Sequence, residues 1–233
     1  MLSWLSSVLQ GYQWLLLDGL WQTLLISVMA YLIGSAIGFC LALANGTSVR
    51  SIHIAIKTYT YLFRALPELI LIMLLYYASD DLFGWIFKLF GFGQVQLNGT
   101  TAAIIVLAFV SAAFACEIFS AAIKAVPIGM VEDAISLGMG PMLRLRRIIF
   151  PIMLPLALPG LANLWLMVVR GSSLVSVVGV MELALAAEQG AGATKAYFAF
   201  YLAGMALYLA VALFTLQLFY RAEKHLRRGQ LAI

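Results

Sequence analysis

Charged residues are scarce in this chain. Asp, Glu, Lys and Arg make up 10% of its 233 residues, whereas hydrophobic residues make up 64%. Soluble domains carry about 25% charged residues, so the composition excludes an ordinary soluble globular domain and indicates an integral membrane protein. The length suits one domain, and since no linker, repeat or low-complexity stretch divides residues 1–233, a single transmembrane domain is expected.

Side chains that could bind a metal or act as nucleophiles are few. The chain has two histidines, His53 and His225, and two cysteines, Cys40 and Cys116. No metal-binding or nucleophilic constellation can be built from them, so no catalytic residue, no metal site and no enzymatic activity are expected. A disulfide is open in principle, but both cysteines fall in apolar runs and are expected to be small packing residues.

The signatures of nucleotide binding and of secretion are also missing. The phosphate-binding pattern GxxxxGK[ST] does not occur, and the nearest look-alike, residues 190–195, has the wrong spacing, so no ATP or Mg²⁺ is expected on this chain. No Lys or Arg precedes Arg50, which argues against a cleavable signal peptide. The net charge of +4 comes from basic residues placed where membrane topology favours them, so no nucleic-acid partner is expected.

Long hydrophobic runs dominate the sequence instead. A membrane helix needs about 20 mostly apolar residues, and five stretches qualify, at about 20–43, 58–78, 101–125, 151–180 and 197–220. They predict an all-α membrane domain with five spans. Residues 82–93 are too short and glycine-broken for a sixth span and are expected to form an interfacial helix on the outer face. Gly34 and Gly38 form a GxxxG pattern that predicts a close packing surface.

The basic residues predict the orientation. Ten of the 14 Lys and Arg residues lie in the connection after the first span, around the loop after the third span, or in the C-terminal tail. The positive-inside rule places that side in the cytoplasm. A multi-pass protein of the bacterial inner membrane is therefore expected, with its N-terminus in the periplasm and its C-terminus in the cytoplasm.

The cytoplasmic connection between spans three and four, about 126–150, is long for a simple connector. Residues 131–137 suit a short amphipathic helix, Gly138 and Gly140 supply a turn, and Pro141 is well placed at the first position of a second helix. A helix–Gly–helix unit lying across the membrane surface is a shape that a partner protein can bind.

This loop carries a resemblance to a known family. Glu132-Asp133-Ala134, Gly138 and residues 152–155 (IMLP) resemble the EAA loop of ABC importer permeases. Further fragments in consistent order resemble the polar amino-acid branch, which includes histidine, arginine and opine permeases: residues 63–67 (FRALP), 117–119 (EIF) with 125–129 (AVPIG), 158–163 (LPGLAN) and 173–176 (SLVS). Departures include Asp133 for Ala, Arg170 for Lys, and Gly171 where Asp or Ser is common.

The resemblance implies a type I ABC importer transmembrane domain with five spans and a cytoplasmic coupling (EAA) loop. Such a permease subunit translocates polar, and in particular cationic, amino acids or opines by alternating access. It implies two separate ATPase subunits that carry ATP and Mg²⁺, an external substrate-binding protein, and a second, related permease, so that a heterodimer is expected rather than a homodimer. The residues expected to couple to the ATPase are Glu132, Asp133, Ala134, Ile135, Gly138 and Arg144.

Two charges near the cytoplasmic end of span two are expected to form a pair. Arg64 and Glu68 are four residues apart and would share one face of a continuous helix, which predicts an intrahelical ion pair. The alternative is a gate contact with the partner permease. Charges inside a bilayer are costly, so either function requires that each finds a partner or water.

The substrate pathway is predicted from charges and breaks in spans three and four. Glu117 either makes a structural hydrogen bond or lines the pathway, and Arg170 contacts a substrate carboxylate, pairs with Glu117 or reaches the outer surface. Prolines recur every four residues at the start of span four and favour a bend, and Gly171 with Ser172 and Ser173 gives a second weak point. Ser172 and Ser173 are therefore included in the predicted pathway.

Two other classes stay open. An ion-driven secondary transporter of small polar solutes would have a similar size, but such folds usually contain internal repeats, which are absent from this sequence. A secondary transporter would also leave the cytoplasmic helix–Gly–helix loop unexplained. The other class is a membrane enzyme or assembly factor, for which the two histidines and two cysteines offer no metal-binding or nucleophilic constellation. Co-purification of an ATPase separates the importer permease from both.

Overall fold

The described residues are almost entirely helical. A computed structural model describes residues 11–47, 49–89 and 98–227, and no strand occurs among them. The helices are α1 (Gln13–Asn45), α2 (Arg50–Ala65), α3 (Glu68–Leu89), α4 (Gly99–Lys124), α5 (Ile128–Ser136), α6 (Pro141–Arg144), α7 (Phe150–Leu174), α8 (Leu183–Thr194) and α9 (Tyr197–Arg227), with a π-helical turn at Leu145–Ile149 and a 3₁₀ turn at Val175–Val178.

Four helical stretches of the described residues are long and apolar enough to cross a membrane, and a fifth is broken. The four are α1, α4, the continuous stretch Pro141–Val178, and Tyr197–Leu226. Helix α2 and the first part of α3 are long and apolar enough only when they are taken together, and the two helices are bent by 114° relative to each other. The all-α, five-span fold is confirmed when this pair counts as one span, but the prediction of one straight helix over 58–78 is wrong. The break lies at Leu66, which is extended (φ −85°, ψ 147°) because Pro67 disfavours helical backbone in the residue before it.

The core forms where α1 and α4 lie side by side in the same direction. A Cβ atom added at Gly34 would lie 2.0 Å from Ser111 Oγ, and one added at Gly38 would lie 2.4 Å from Ala115 Cβ. Only glycine allows this approach, so the predicted GxxxG packing surface is confirmed. The most buried residues of the chain, including Ala103, Ala112 and Ala115, continue this seam along α4.

Helix α7 runs antiparallel to α4. Gly160 faces Ile118, whereas Gly171, eleven residues later, faces Leu107. The α-helix continues through Pro155 and Pro159 to Leu174, where a 3₁₀ turn begins, and this turn ends at Gly179, which is left-handed (φ 81°). The weak point of this span therefore lies beyond Ser173 and not at the prolines.

Helix α8 has no counterpart among the sequence predictions. Its 12 residues run antiparallel to α1, with Ala186 against Gly19 and Gly190 against Phe200 of α9. The predicted interfacial helix 82–93 is a continuation of α3 as far as Leu89; its last four residues lie outside the described part of the chain.

Candidate coupling surface and transport pathway

The loop between α4 and α7 folds into the predicted helix–Gly–helix unit. Helix α5 ends in a Schellman motif, in which Gly138 N–H donates to Ile135 C=O (2.8 Å) and Met139 N–H donates to Ala134 C=O (3.0 Å). Gly138 takes the left-handed conformation that this motif requires (φ 75°). Pro141 stands at the start of α6, as its fixed φ predicts.

This loop presents apolar side chains that this chain does not cover. Leu137 is 77% exposed and Met142 75%, and Ile135 is also exposed. The predicted coupling residues Glu132, Asp133 and Gly138 are exposed as well. Apolar groups left exposed in a connection outside the hydrophobic spans indicate an interaction surface, which we call the coupling surface and define as the exposed residues of 128–143.

Two of the predicted coupling residues do not lie on that surface. Ala134 is only 2% exposed, because it packs inside the chain and anchors α5. The prediction that Ala134 contacts an ATPase subunit is therefore wrong, because Ala134 does not lie on the exposed face of α5. Arg144 is half-buried, and its Nε is buried without a hydrogen-bond partner among the described residues.

The coupling surface joins α7 without a loop. Pro151 has no N–H to donate to the carbonyl of Arg147, and the backbone widens here into a π turn in which Phe150 N–H donates to Leu145 C=O. Helix α6, the π turn, α7 and the 3₁₀ turn thus form one continuous stretch of 38 residues, Pro141–Val178. The predicted second helix of the loop is the first turn of the fourth span.

Arg64 pairs across helices instead of along its own. Its Nη1 lies 3.7 Å from Glu117 Oε2 on α4, and both side chains are 42% exposed. Its guanidinium also lies 5.7 Å from the ring centre of Phe114. The predicted intrahelical pair of Arg64 with Glu68 is wrong because the break at Leu66 and Pro67 places the two residues on different helices.

Glu68, the first residue of α3, turns its carboxylate towards α7. A Cβ atom added at Gly171 would lie 2.4 Å from Glu68 Oε1, so the carboxylate rests against the bare backbone of that glycine. The guanidinium of the neighbouring Arg170 attracts it electrostatically. Of the two charges beside the helix break, Arg64 thus pairs with a residue of a different span, whereas Glu68 and Arg170 form no ion pair within 4.0 Å.

Glu117 and Arg170 lie at different depths of the bundle. Leu107 is level with Gly171, and Glu117 is ten residues further along α4. Ten residues of helix span about 15 Å. The alternative in which Glu117 pairs with Arg170 is therefore not the arrangement in this structure.

An open cavity of about 690 Å³ lies between α7 and α9. Arg170 and Ser173 line it together with Asn163 of the same face of α7, and Met205, Tyr208 and Leu209 close it from α9. Ser172, which was also predicted for the pathway, is fully buried and donates to Val169 C=O at 2.7 Å. The structure therefore brings Arg170 and Ser173 to the cavity but leaves Ser172 in the helix packing.

Sequence reasoning missed Glu182, a carboxylate with no exposed surface. Its Oε1 accepts from the N–H groups of Ala184 (2.8 Å) and Leu185 (3.1 Å) at the start of α8. Its Oε2 lies 2.6 Å from the Tyr208 hydroxyl and 3.2 Å from the Thr23 hydroxyl. The available signal was an acidic residue alone in the apolar stretch 174–187. Among the described residues, no group of three His, Cys, Asp or Glu side chains could hold a metal ion.

Comparisons with known proteins agree with this architecture. Residues 34–228 match the family described as binding-protein-dependent transport system inner membrane component. The chain is 35% identical to a nopaline transport system permease protein of Agrobacterium fabrum, covering 91% of this chain and 90% of the relative. It is 30% identical to the histidine/lysine/arginine/ornithine transport system permease protein of Escherichia coli, covering 87% and 89%.

Solved structures show the same fold. A chain of an amino acid ABC transporter crystallised with histidines superposes with a TM-score of 0.78 at 29% identity, covering 93% of this chain and 96% of that one. A chain of the methionine ABC transporter in an inward-facing conformation superposes with a TM-score of 0.68 at 22% identity.

Proposed function

Since the chain belongs to the family of binding-protein-dependent transport system inner membrane components, we propose that it is the permease subunit of an ATP-driven importer for polar, and in particular cationic, amino acids or opines. The observation that carries the proposal is the coupling surface, an exposed apolar helix–Gly–helix unit continuous with a span. The names of the relatives support the substrate class, as do Arg170 and Glu117, which offer one charge of each sign within the spans.

The energy source and the partners follow from the same proposal. Two ATPase subunits carry the ATP and Mg²⁺, and one of them docks on the coupling surface. An external binding protein delivers the substrate, and a second, related permease completes the membrane part as a heterodimer. The basic residues around the coupling surface support a cytoplasmic position for it in the bacterial inner membrane, with the N-terminus in the periplasm.

Transport then proceeds by alternating access. Closure of the ATPase subunits moves the coupling surface, and α7 moves with it because no flexible loop separates the two. Both halves of the broken second span pack on α4, and the break turns their charges in different directions: Arg64 reaches Glu117 of α4, whereas Glu68 lies against Gly171 of α7. Arg170 receives the substrate carboxylate at the cavity through a charge-assisted contact. Glu117, about 15 Å further along the bundle, receives a cationic group later on the path.

The experiment compares two glycines of the coupling surface. A Cβ atom at Gly138 or at Gly140 would meet nothing within 4 Å, but only Gly138 has a positive φ. We expect Gly138→Asp to reduce co-purification of the ATPase subunit and substrate uptake about tenfold or more, because a left-handed side-chain residue costs about 1–2 kcal/mol and distorts the turn. Gly140→Asp is the matched control and should retain most uptake.

Membrane levels of both variants are measured by immunoblot to exclude loss of insertion. Full uptake in Gly138→Asp contradicts the assignment of the coupling surface. Uptake by the purified wild-type chain without any ATPase, driven by an ion gradient alone, contradicts the importer function itself.

A further inference from the structure

Tyr208 of α9 joins the open cavity to a buried carboxylate. Its side chain lines the cavity of about 690 Å³, and its hydroxyl donates to Glu182 Oε2 at 2.6 Å. Glu182 has no exposed surface, so the hydroxyl end of Tyr208 points into the protein and away from the cavity. The part of Tyr208 that remains at the cavity wall is therefore its aromatic ring.

The carboxylate that holds Tyr208 is itself fixed by two other helices. Glu182 Oε1 accepts from the N–H groups of Ala184 and Leu185 at the start of α8, at 2.8 and 3.1 Å. Its Oε2 also accepts from the Thr23 hydroxyl of α1, at 3.2 Å. A ring whose hydroxyl is bound to a carboxylate with this many partners has little freedom to turn. The orientation of Tyr208 at the wall is therefore set before any ligand arrives.

Arg170 of α7 lies across the cavity from Tyr208 at nearly the same depth. Helix α9 runs antiparallel to α7, and the two helices are joined where Trp165 Nε1 donates to the Thr215 hydroxyl at 2.8 Å. Arg170 follows Trp165 by five residues, and Tyr208 precedes Thr215 by seven. The difference of two residues corresponds to about 3 Å along the helix axes. An extended ligand that binds Arg170 therefore has the Tyr208 ring within its reach.

The cavity wall offers no carboxylate to a cationic group of a ligand. Among the described residues that line the cavity, the polar ones are Arg170, Asn163, Ser173 and Tyr208, and the others are apolar. Arg170 attracts the carboxylate of an amino acid but repels a cationic side chain. The face of a tyrosine ring attracts a guanidinium or ammonium group, so Tyr208 is the group of this wall that suits the cationic end.

We propose that Tyr208 is a specificity-determining residue of the cavity, whose ring receives the cationic side chain of a ligand bound through its carboxylate to Arg170, and that Glu182 is the positioning residue of this ring. This inference rests on the proposed transport function. A ring holds a cation less firmly than a carboxylate does. The cationic group is therefore free to move on towards Glu117, about 15 Å further along the bundle.

The test measures equilibrium binding to the assembled permease–ATPase complex in detergent, in the absence of binding protein. The two probes are radiolabelled L-arginine and L-citrulline, which have nearly the same shape, but the ureido group of citrulline carries no charge. The variants are Tyr208→Leu, which removes the ring and the hydroxyl, and Tyr208→Phe, which removes the hydroxyl alone. Tyr201→Leu is the matched control, at a tyrosine of α9 that is 50% exposed and does not line the cavity.

We expect the wild-type complex to bind arginine more tightly than citrulline, and Tyr208→Leu to reduce this preference about threefold to tenfold, the range of a cation–aromatic contact. Tyr208→Phe should keep the preference but weaken binding of both probes by a common factor, because Glu182 no longer holds its ring. Tyr201→Leu should change neither affinity. Since both Tyr208 variants release Glu182, a general loosening of α8 cannot explain a difference between them.

Other results would overturn the inference. An equal loss of preference in Tyr208→Phe and Tyr208→Leu would mean that the hydroxyl network, and not the ring, determines selectivity. A loss of both affinities by the same factor in Tyr208→Leu would make Tyr208 a structural residue, and unchanged affinities in Tyr208→Phe would remove Glu182 as the positioning residue. If the wild-type complex binds both probes equally, the inference fails while the proposed transport function stands. If it binds neither probe, the proposed substrate class fails and the inference fails with it.

Discussion

At the scale of single residues, Glu182 stands out among the described residues because its carboxyl group is fully buried. A fully buried carboxylate is stable only when its oxygens are hydrogen-bonded, and here four donors from three helices surround it. Thr23 belongs to α1, Tyr208 to α9, and Ala184 and Leu185 to the first turn of α8. One side chain thus holds a short helix against two spans.

Loss of that carboxylate should destabilise the protein more than loss of an exposed one. We expect Glu182→Ala to lower the free energy of unfolding by about 2–4 kcal/mol, since it removes a helix cap and leaves buried donors without acceptors. Glu182→Gln should cost less because the amide oxygen can still accept. Thermal unfolding of the purified complex measures the effect, with Glu188→Ala of the same helix as control. Equal melting temperatures for both alanine variants would show that the network does not stabilise the fold.

Glycine and alanine positions show which features of the structure a local sequence pattern could predict and which it could not. Gly34, Gly38 and the turn at Gly138 were predictable because each has a local pattern, GxxxG or Gly followed by Pro141. Ala134 was assigned to the wrong surface because a motif indicates which residues recur together and not which face of the helix they occupy. The burial of Ala134 depends on how the loop packs on the rest of the chain, and the motif does not encode that packing.

At the scale of helices, the broken second span decides which charges meet. Arg64 closes α2 and reaches α4, whereas Glu68 opens α3 and reaches α7. Both contacts join residues far apart in sequence, so spacing along one helix could not predict them. The sequence did contain the cause of the break, since Pro67 lies between the two charges.

Variants of the Arg64–Glu117 pair distinguish a structural function of Glu117 from a function in transport. Both side chains are 42% exposed, so solvent screens the pair and its contribution to stability is about 1 kcal/mol or less. We expect Glu117→Gln to leave the assembled complex intact and to lower substrate-stimulated ATP hydrolysis about tenfold, because the cationic group of the substrate loses its partner.

The double variant Glu117→Gln with Arg64→Met distinguishes between the structural function and the transport function of Glu117. If the two charges only hold α2 and α4 together, removing both restores wild-type hydrolysis, since no orphaned charge is left. We expect no restoration. Recovery of transport in the double variant would remove Glu117 from the pathway.

At the scale of the whole molecule, the number of spans followed from hydrophobic runs when the bent pair counts as one span, whereas the exact helix ends and the arrangement of the helices did not. Runs of apolar residues indicate which segments can lie in lipid at a low free-energy cost. They carry no information on which helices are neighbours. Helix α8 escaped prediction because its 12 residues are too few to span a bilayer, and it depends on Glu182 and on close contacts at Gly19 and Gly190 for its place.

The orientation of the molecule is tested by chemical labelling of intact cells. In a background with Cys40 and Cys116 replaced by alanine, Glu188→Cys on α8 should react with a membrane-impermeant maleimide. Ser136→Cys on the coupling surface should react only after permeabilisation, because the positive-inside rule predicts a cytoplasmic position for that side. Both positions are exposed. Reaction of both from the same side of the membrane would refute the topology.

The continuous helical stretch from Pro141 to Val178 can transmit movement from one of its ends to the other as a single rod. From Pro141 to Arg170 it measures about 44 Å at 1.5 Å per residue. Gly160 lies against Ile118 between these ends, where an added Cβ would lie 2.9 Å from the Ile118 side chain, so a tilting rod would pivot near this close approach. If the rod tilts as one body, its two arms swing in opposite directions. In the proposed import cycle, a displacement of the turn at Pro141 would move Arg170 along the same continuous helix, so no flexible loop would lie between the ATPase side and the cavity.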